Sequence, residues 1–359
     1  MTQTVDFMVR RDEFSATETQ TNDAAPLGDG EARIRVEKFA LTANNITYAV
    51  FGEQMAYWNF FPAPDGFGRV PVWGYGVVEE TNQSDLKVGE RLYGYFPMSS
   101  HLTVQPGKVS AGGFTDMAAH RQPMSPVYNA YRRLDADPAH NPDTEAERML
   151  FEPLFMTSFL IEGMFRESDW FGATRLLMTS ASSKTSLALA QIAGQTSAET
   201  YRIGLTSPGN VDFVKKTGLY DEVRVYNDES DLELEPSVYV DFAGNAGILH
   251  KIHERLGDDL KYACLVGATH WEASGGMKGA PGPEPILFFA PDHAHAKMKT
   301  LGPDAFNAEI GKAWVSFLGQ AKGLLEVTNL SGPDAVASAY LKVLKGEAGP
   351  NEGLILSLS

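Results

Sequence analysis

Apolar and polar positions alternate through the first third of the chain. In "EARIRVEKFAL", Ile34, Val36 and Phe39 stand near a period of two, which predicts a strand. "RVPVWGYGVVEE", "LKVGERLYGYFP", "SSHLTVQP" and "GGFTDMAAHRQPMSPV" follow, each a short β-branched or aromatic run bounded by Gly, Pro or Asp. Together they predict a β-rich, barrel-like domain over residues 1–128, with the first 30 residues a frayed start leading into an edge strand. The polar stretch "YRRLDADPAHNPDTEAERM" carries two prolines and reads as an inserted loop or helix pair, so that 129–150 is expected to be an inter-domain insertion. The period then changes. The apolar helix "LFEPLFMTSFLIEGMF" is followed by alternating strands and helices, from "RLLMTSA" and "KTSLALAQIAG" to "AGILHKIHERLG" and "KYACLVGAT". Strand–helix alternation at this spacing predicts a parallel sheet with helices on both faces, over 151–324. The tail, "LLEVTNLSGPDAVASAYLKVLKGEAGPNEGLILSL", reads strand–helix–strand, and 325–359 is expected to return to the first domain.

One strand–turn–helix unit, "LLMTSASSKTSLALAQIA", has the layout of a nucleotide-binding βα unit but no glycine in its turn. A turn at that position offers backbone N–H groups and the positive end of a helix dipole, for which phosphate is the natural occupant. Here Ser180, Ser182 and Ser183 replace the usual glycines, with Lys184 and Thr185 behind them. Serine in left-handed geometry costs about 1–2 kcal/mol, which predicts a reshaped turn whose hydroxyls donate to phosphate oxygens. Lys184 beside the positive end of the dipole would gain from an anion. The alternative is a Ser-rich N-cap with Lys184 in water. The next strand ends "IGLTSPGN", where an NAD-preferring site would place an acid for the ribose 2′-hydroxyl. Thr206, Ser207 and Asn210 stand there instead and leave room for a 2′-phosphate, so NADP(H) is the expected cofactor; the same residues also suit a plain turn.

Bulk composition narrows the function classes. A formal charge of −16, with no basic footprint, argues against nucleic acid. No apolar run approaches the roughly 20 residues of a membrane helix, and the polar N-terminus has no signal-peptide core. The single cysteine, Cys264, excludes an internal disulfide and a multi-cysteine zinc site. A cytoplasmic protein with no membrane partner fits these features.

The order of parts resembles the medium-chain dehydrogenase/reductase superfamily from about residue 30 to 359. "VEKFALTANNITYAVFG" is similar to that family's opening strand and loop, and "GYGVVEETNQSDLKVGERLYGY" to its barrel core. "LFEPLFMTSFLIEGMF" looks like the helix ahead of the cofactor fold, "DFAGNAG" like the fourth-strand turn, and "LKVLKGEAGPNEGLILSL" like the closing helix and strand. "PLFMTSFL" with "SASSKTS" and "GLTSPGN" resembles a branch with a Ser-rich phosphate turn. The resemblance implies a GroES-like β-barrel domain plus a Rossmann-type doubly wound parallel sheet. Zinc-dependent members carry a cysteine in the opening loop and a His–Glu pair before the "VV" strand; here Asn44 or Asn45, and Tyr75 after Gly74, match those positions. The likeness therefore points to the zinc-independent quinone and enoyl reductases, with no metal. It also implies that Thr157, Asn44 and Asn45 lie near the nicotinamide and that Tyr226 contacts the 2′-phosphate. Gly244 and Asn245 would pass under the cofactor, and Gly267 to Thr269 would face its carboxamide.

Hydride transfer mostly needs placement and a polarised acceptor. Tyr48 is the first candidate for donor to the substrate oxygen, with core packing as its alternative. Tyr57, Trp58, Phe60 and Phe61 suit an apolar substrate pocket or a packed loop. His270 and Trp271 stand at a strand's carboxyl end, where His270 can act as an acid or lie in water. "DHAHAKM" has an H-x-H spacing but no evident third ligand. The leading reading is a reductase of an activated C=C or C=O in a small, fairly apolar molecule. A lyase or aldolase-type enzyme, and a non-catalytic ligand-binding protein, are the competitors on the same fold. "PILFFAP", apolar and expected at a sheet edge, predicts a homodimer.

Overall fold

The strand Ala32–Leu41 realises the opening alternation: Ile34, Val36 and Phe39 are buried, and the strand pairs with three others. The computed structural model describes residues 2–266 and 280–358. The chain divides into two units, Met1–Leu150 with Leu325–Ser359, and Phe151–Leu324.

In the first unit, the main sheet among the described residues runs Glu326–Ser331, Glu352–Ser357, Ala32–Leu41, Pro71–Thr81, Arg91–Pro97, Ala130–Arg133, Gly113–Asp116, Pro106–Ser110. His101–Val104 also pairs with Ala32–Leu41. Gly74 is required by close approach, since a Cβ there would stand 2.4 Å from the Lys38 carbonyl of the neighbouring strand. The tail enters this sheet: Glu326–Ser331 and Glu352–Ser357 are parallel, with the helix Pro333–Leu344 as their crossover.

Two expectations for this unit need correction. The first 30 residues are not frayed. Gln3–Arg10 and Thr17–Asp23 form an antiparallel pair, and Phe7 and Val9 lie in the core. The alternation of Val5, Phe7 and Val9, with buried Met8 between the last two, was the signal. Residues 129–150 are not a detached insertion either. Ala130–Arg133 pairs with the strands on both sides, and buried Tyr131 stacks on Phe114 at 5.1 Å between ring centres. The polar residues that suggested a loop are ion-paired: Glu145 meets Lys38 at 2.8 Å and Arg91 at 2.9 Å, and Arg148 is buried against Asp137.

In the second unit every strand pair among the described residues is parallel. The order is Glu222–Val225, Tyr201–Thr206, Arg175–Met178, Ser237–Asp241, Leu260–Leu265, Ile286–Leu287. Numbered along the chain, that is 3-2-1-4-5-6, the doubly wound order, and it reverses between Arg175–Met178 and Ser237–Asp241. In the central strands residues 176–178 and 238–240 are buried, as cover on both faces demands. No helix among the described residues is long and apolar enough to cross a membrane.

Candidate active site

In an open parallel sheet, a ligand sits beyond the carboxyl ends of the strands at the order reversal. Here the two strand ends are stitched by one buried hydroxyl. Thr179 Oγ1 donates to Asp241 Oδ1 at 2.8 Å and accepts from Phe242 N at 2.8 Å and Ala243 N at 3.0 Å. Asp241 Oδ1 also accepts from Gly244 N at 3.0 Å. Burial raises the Asp241 carboxyl above its ordinary value against the pull of these donors, and its Oδ2 has no hydrogen-bond partner.

The glycine-free turn begins with Ser180 at φ +47°, the left-handed geometry expected to be costly for serine. Its N–H donates to the Tyr226 hydroxyl at 2.8 Å. Ala181 N donates to Leu205 O at 3.0 Å. The methyl of Ala181 packs on Gly204, where an added Cβ would stand 2.8 Å from it. Ser182 Oγ accepts from Asn210 Nδ2 at 3.0 Å. Ser183 caps the helix Lys184–Thr196, its Oγ accepting from Ser186 N at 3.2 Å. The Tyr220 hydroxyl, held neutral by burial, donates to Ala181 O at 2.8 Å and meets Ser186 Oγ at 2.9 Å. The Thr185 carbonyl accepts from Ser158 Oγ at 2.8 Å.

Ser180, Ser182, Ser183, Lys184, Thr185, Asn210 and Tyr226 are thus gathered at one end of the sheet. Tyr226 does so by holding the turn itself. Thr206 is buried and accepts from Tyr226 N through its carbonyl at 3.0 Å, while Ser207 is exposed. Gly244 has φ +64°, and Asn245 caps the helix Ala246–Leu256 by accepting from Gly247 N and Ile248 N. Thr157 lies half-buried on the helix Glu145–Glu167, and its neighbour Ser158 makes the bond to the turn. Gly267, Thr269, His270 and Trp271 lie outside the described residues.

In the first unit Tyr48 sits on the short helix Ala43–Val50 inside an aromatic cluster. Ring centres lie 4.7 Å from Tyr57 and 5.6 Å from Tyr95. Burial, with Tyr57 beside it, pushes the Tyr48 hydroxyl up to about 12. Asn44 and Tyr128 face that hydroxyl, and Trp73 Nε1 lies toward it without closing a hydrogen bond. Asn45 has a different task. Its Oδ1 accepts from Thr42 N at 2.7 Å and its Nδ2 donates to Pro71 O at 2.9 Å, so it caps the helix and pins it to a strand. The aromatic loop divides. Tyr57, Phe60 and Phe61 join the Tyr48 cluster, whereas Trp58 turns into the barrel core between Gly52 and Gly68, each of which would clash with it if given a Cβ. Trp58 is therefore a core residue rather than part of a pocket with Tyr57. His293 and His295 stand two apart on the helix Ala290–Leu301 and cannot face one ion together; His293 stacks on Phe288 at 4.1 Å.

Sequence reasoning missed Thr179, Tyr220, Trp73, Tyr95 and Tyr128. "YGYFP" held a signal for Tyr95, since period two puts it on the opposite face from Phe96.

A family model described as a protein of unknown function (DUF2855) matches residues 39–349. The chain belongs to that family. Its fold is that of the enoyl and quinone reductases of the medium-chain dehydrogenase/reductase superfamily. CurA in complex with NADPH from Vibrio vulnificus is 13% identical, with 100% of this chain and 99% of that chain covered and a TM-score of 0.63. CurK enoyl reductase is 15% identical, with 99% of both chains covered and a TM-score of 0.60. The putative NADPH:quinone reductase from Bacillus thuringiensis is 11% identical, with 99% of both chains covered and a TM-score of 0.57. Among curated proteins no sequence match is found.

Proposed function

We propose that this DUF2855 chain is a zinc-independent, NADP(H)-dependent oxidoreductase that reduces an activated C=C or C=O of a small, fairly apolar substrate. The observation that carries the reading is the Ser-rich turn placed at the strand-order reversal and opening the helix Lys184–Thr196. Its donor chemistry fits a dinucleotide. Ser182, Ser183 and Lys184 offer hydroxyl and ammonium donors beside a helix N-terminus. Past the second strand, Thr206, Ser207 and Asn210 present no carboxylate against a 2′-phosphate; the first acid, Asp212, is exposed on the following helix. Gly244, left-handed, would allow the backbone to pass close beneath the ligand. NADPH is the ligand of the structurally similar CurA crystal structure and gives its name to the similar quinone reductase.

Bound there, the cofactor supplies a hydride. Residues of this chain hold the nucleotide and present a donor to the substrate oxygen. Tyr48 serves that role with Asn44 beside it. A hydroxyl pushed up to about 12 keeps its proton at neutral pH and acts as hydrogen-bond and proton donor, not as base. Thr157 would orient the nicotinamide. We assign a homodimer contact to the sheet edge, where Ile286, Leu287 and Phe289 are 49%, 57% and 43% exposed.

The test is thermal melting with NADPH and with NADH. A ligand at 100 times its Kd adds about 2.7 kcal/mol. A larger shift with NADPH is expected; no shift with either nucleotide removes the reading.

A further inference from the structure

The main sheet of the first unit ends on the strand Glu326–Ser331, whose outer edge pairs with no strand among the described residues. The strand has 6 residues, runs beside Glu352–Ser357 without a register shift, and is exposed at every position but Leu330. Two bonds at its ends fix which backbone groups face outward. Glu326 N donates to Asn351 O at 2.7 Å, and Gly332 N donates to Ser357 O at 2.9 Å. In a parallel pair every second residue turns both its N–H and its C=O toward the neighbour. The even-numbered residues do so here, which leaves the N–H and C=O of Val327, Asn329 and Ser331 on the open side.

An open edge is a template for another strand, and proteins normally blunt it with charge, proline or a bulge. The other long edge strands among the described residues follow that rule. Thr17–Asp23 carries Glu18 and Asp23, and Glu222–Val225 carries Glu222 and Arg224. Pro106–Ser110 has its proline, Lys108 at φ +49° and a register shift. Residues 327–331 have no charge, no proline and no bulge. They are also self-complementary. An antiparallel pairing about a two-fold axis at Asn329 sets Asn329 opposite its own copy and Val327 opposite Ser331. Those are the residues whose backbone groups face outward, and each such pair exchanges both of its N–H···O bonds. The chain's charge of −16 opposes self-association elsewhere. In this register the two copies of Glu326 stand about 20 Å apart along the strands, beyond the screening length.

We propose that Glu326–Ser331 is a contact between two copies of this chain, paired antiparallel about Asn329. Such a pair covers both edges and leaves neither open for further growth. The contact is separate from the edge at Ile286 and Leu287, and it rests on no reading of the reaction. Val327, 38% exposed, is the main apolar side chain it covers, so it is weak and forms above micromolar concentration.

Disulfide trapping in the full chain tests the register. In a hydrogen-bonded antiparallel pair, opposed Cα atoms stand about 5.5 Å apart, inside the range a disulfide spans. Cys264 does not compete, being buried with its thiol pushed up by that burial. With copper phenanthroline, Asn329→Cys is expected to give a covalent dimer on a non-reducing gel. Val327→Cys and Ser331→Cys are each expected to stay monomeric, because the two copies of either position lie about 13 Å apart along the strands. A mixture of those two variants is expected to cross-link. Adding Leu287→Lys is expected to leave the Asn329→Cys dimer in place. The absence of a cross-link in both the Asn329→Cys chain and the mixture overturns the proposal. Cross-linking of Val327→Cys alone as fast as the mixture also overturns it, since that marks random collision or another register. Loss of the Asn329→Cys dimer on adding Leu287→Lys does the same, because the trapping would then depend on the other edge.

Discussion

Replacing Thr179 by valine keeps the shape of a buried side chain and deletes only its hydroxyl. Three hydrogen bonds go with it: the donation to Asp241 and the acceptances from Phe242 N and Ala243 N. Ala243 N keeps Asp241 Oδ1 at 3.1 Å, so the Phe242 N–H is the group that loses its acceptor. An unpaired amide costs about 1–3 kcal/mol and the lost donation to the carboxyl about 0.5–1.5 kcal/mol, so Thr179→Val should destabilise the chain by about 2–4 kcal/mol. In urea, with a slope near 2 kcal/mol per molar, the midpoint falls by about 1–2 M with the slope unchanged. The deficit also depends on pH. Burial raises the folded pKa of Asp241, so the stability tied to its bound proton is full below the ordinary value of 3.8 and is lost as pH rises through the folded value. The Thr179 hydroxyl favours the carboxylate. Without it the folded pKa rises further, and the variant loses more at neutral than at acid pH. A valine variant within 0.5 kcal/mol of the natural chain, at both pH 4 and pH 7, would refute the claim that this hydroxyl stitches the two strand ends.

Glu145 supplies the opposite pH dependence. Despite the cost of its burial, hydrogen bonds from Arg91, Lys38 and His140 hold it down at about 2, against an ordinary 4.5. A depressed folded pKa means stability present above 4.5 and lost as pH falls toward 2. The full shift is worth about 3 kcal/mol, and screening through Arg91 and Lys38, each about a third exposed, leaves about 1–2 kcal/mol. Glu145→Gln should flatten acid unfolding over that window; an unchanged acid limb would count against the ion cluster. Lys184→Ala should weaken NADPH by about 1.5–3 kcal/mol, the worth of a charged hydrogen bond, with unchanged affinity by calorimetry placing the side chain outside the phosphate site. Leu287→Lys should shift the chain toward monomer in sedimentation at micromolar concentration, and a natural chain already monomeric there would end the homodimer proposal.

The fold was legible because each unit announces its period. Ile34, Val36 and Phe39 alternate, and the apolar run at Leu176 to Met178 leads directly into the helix beginning at Lys184. What failed was polarity used as a guide to looseness. Phe7, Met8 and Val9 are buried although the N-terminal stretch around them is mostly polar, and Arg148 is nearly inaccessible because Asp137 neutralises it. In the candidate site, residues that act through local backbone were visible, such as Ser183 at its N-cap. Of those that act across strands, Asn210 and Tyr226 were named, whereas Thr179 and Tyr220 were not. Asn45 looked like a polar residue of an opening loop and is a cap, because its three-residue spacing from Thr42 lets it bond that residue's backbone.

The absence of glycine from the Ser-rich turn has its compensation far along the chain. Ser180 in left-handed geometry costs about 1–2 kcal/mol, and the bond from Ser183 N to Ser180 O at 2.7 Å within the turn is not the only support. Three side chains brought in by the next two strands add to it. Asn210 follows the second strand and bonds Ser182. Tyr220 precedes the third and bonds both the Ala181 carbonyl and Ser186. Tyr226 ends the third and receives the Ser180 N–H. Each such bond is worth about 0.5–1.5 kcal/mol, so together they outweigh the strained residue. A glycine turn is free to mould itself to pyrophosphate, whereas this one is shaped before any ligand arrives. It favours preorganisation over adaptability, so a ligand bound there would have to match hydroxyl groups already fixed in place.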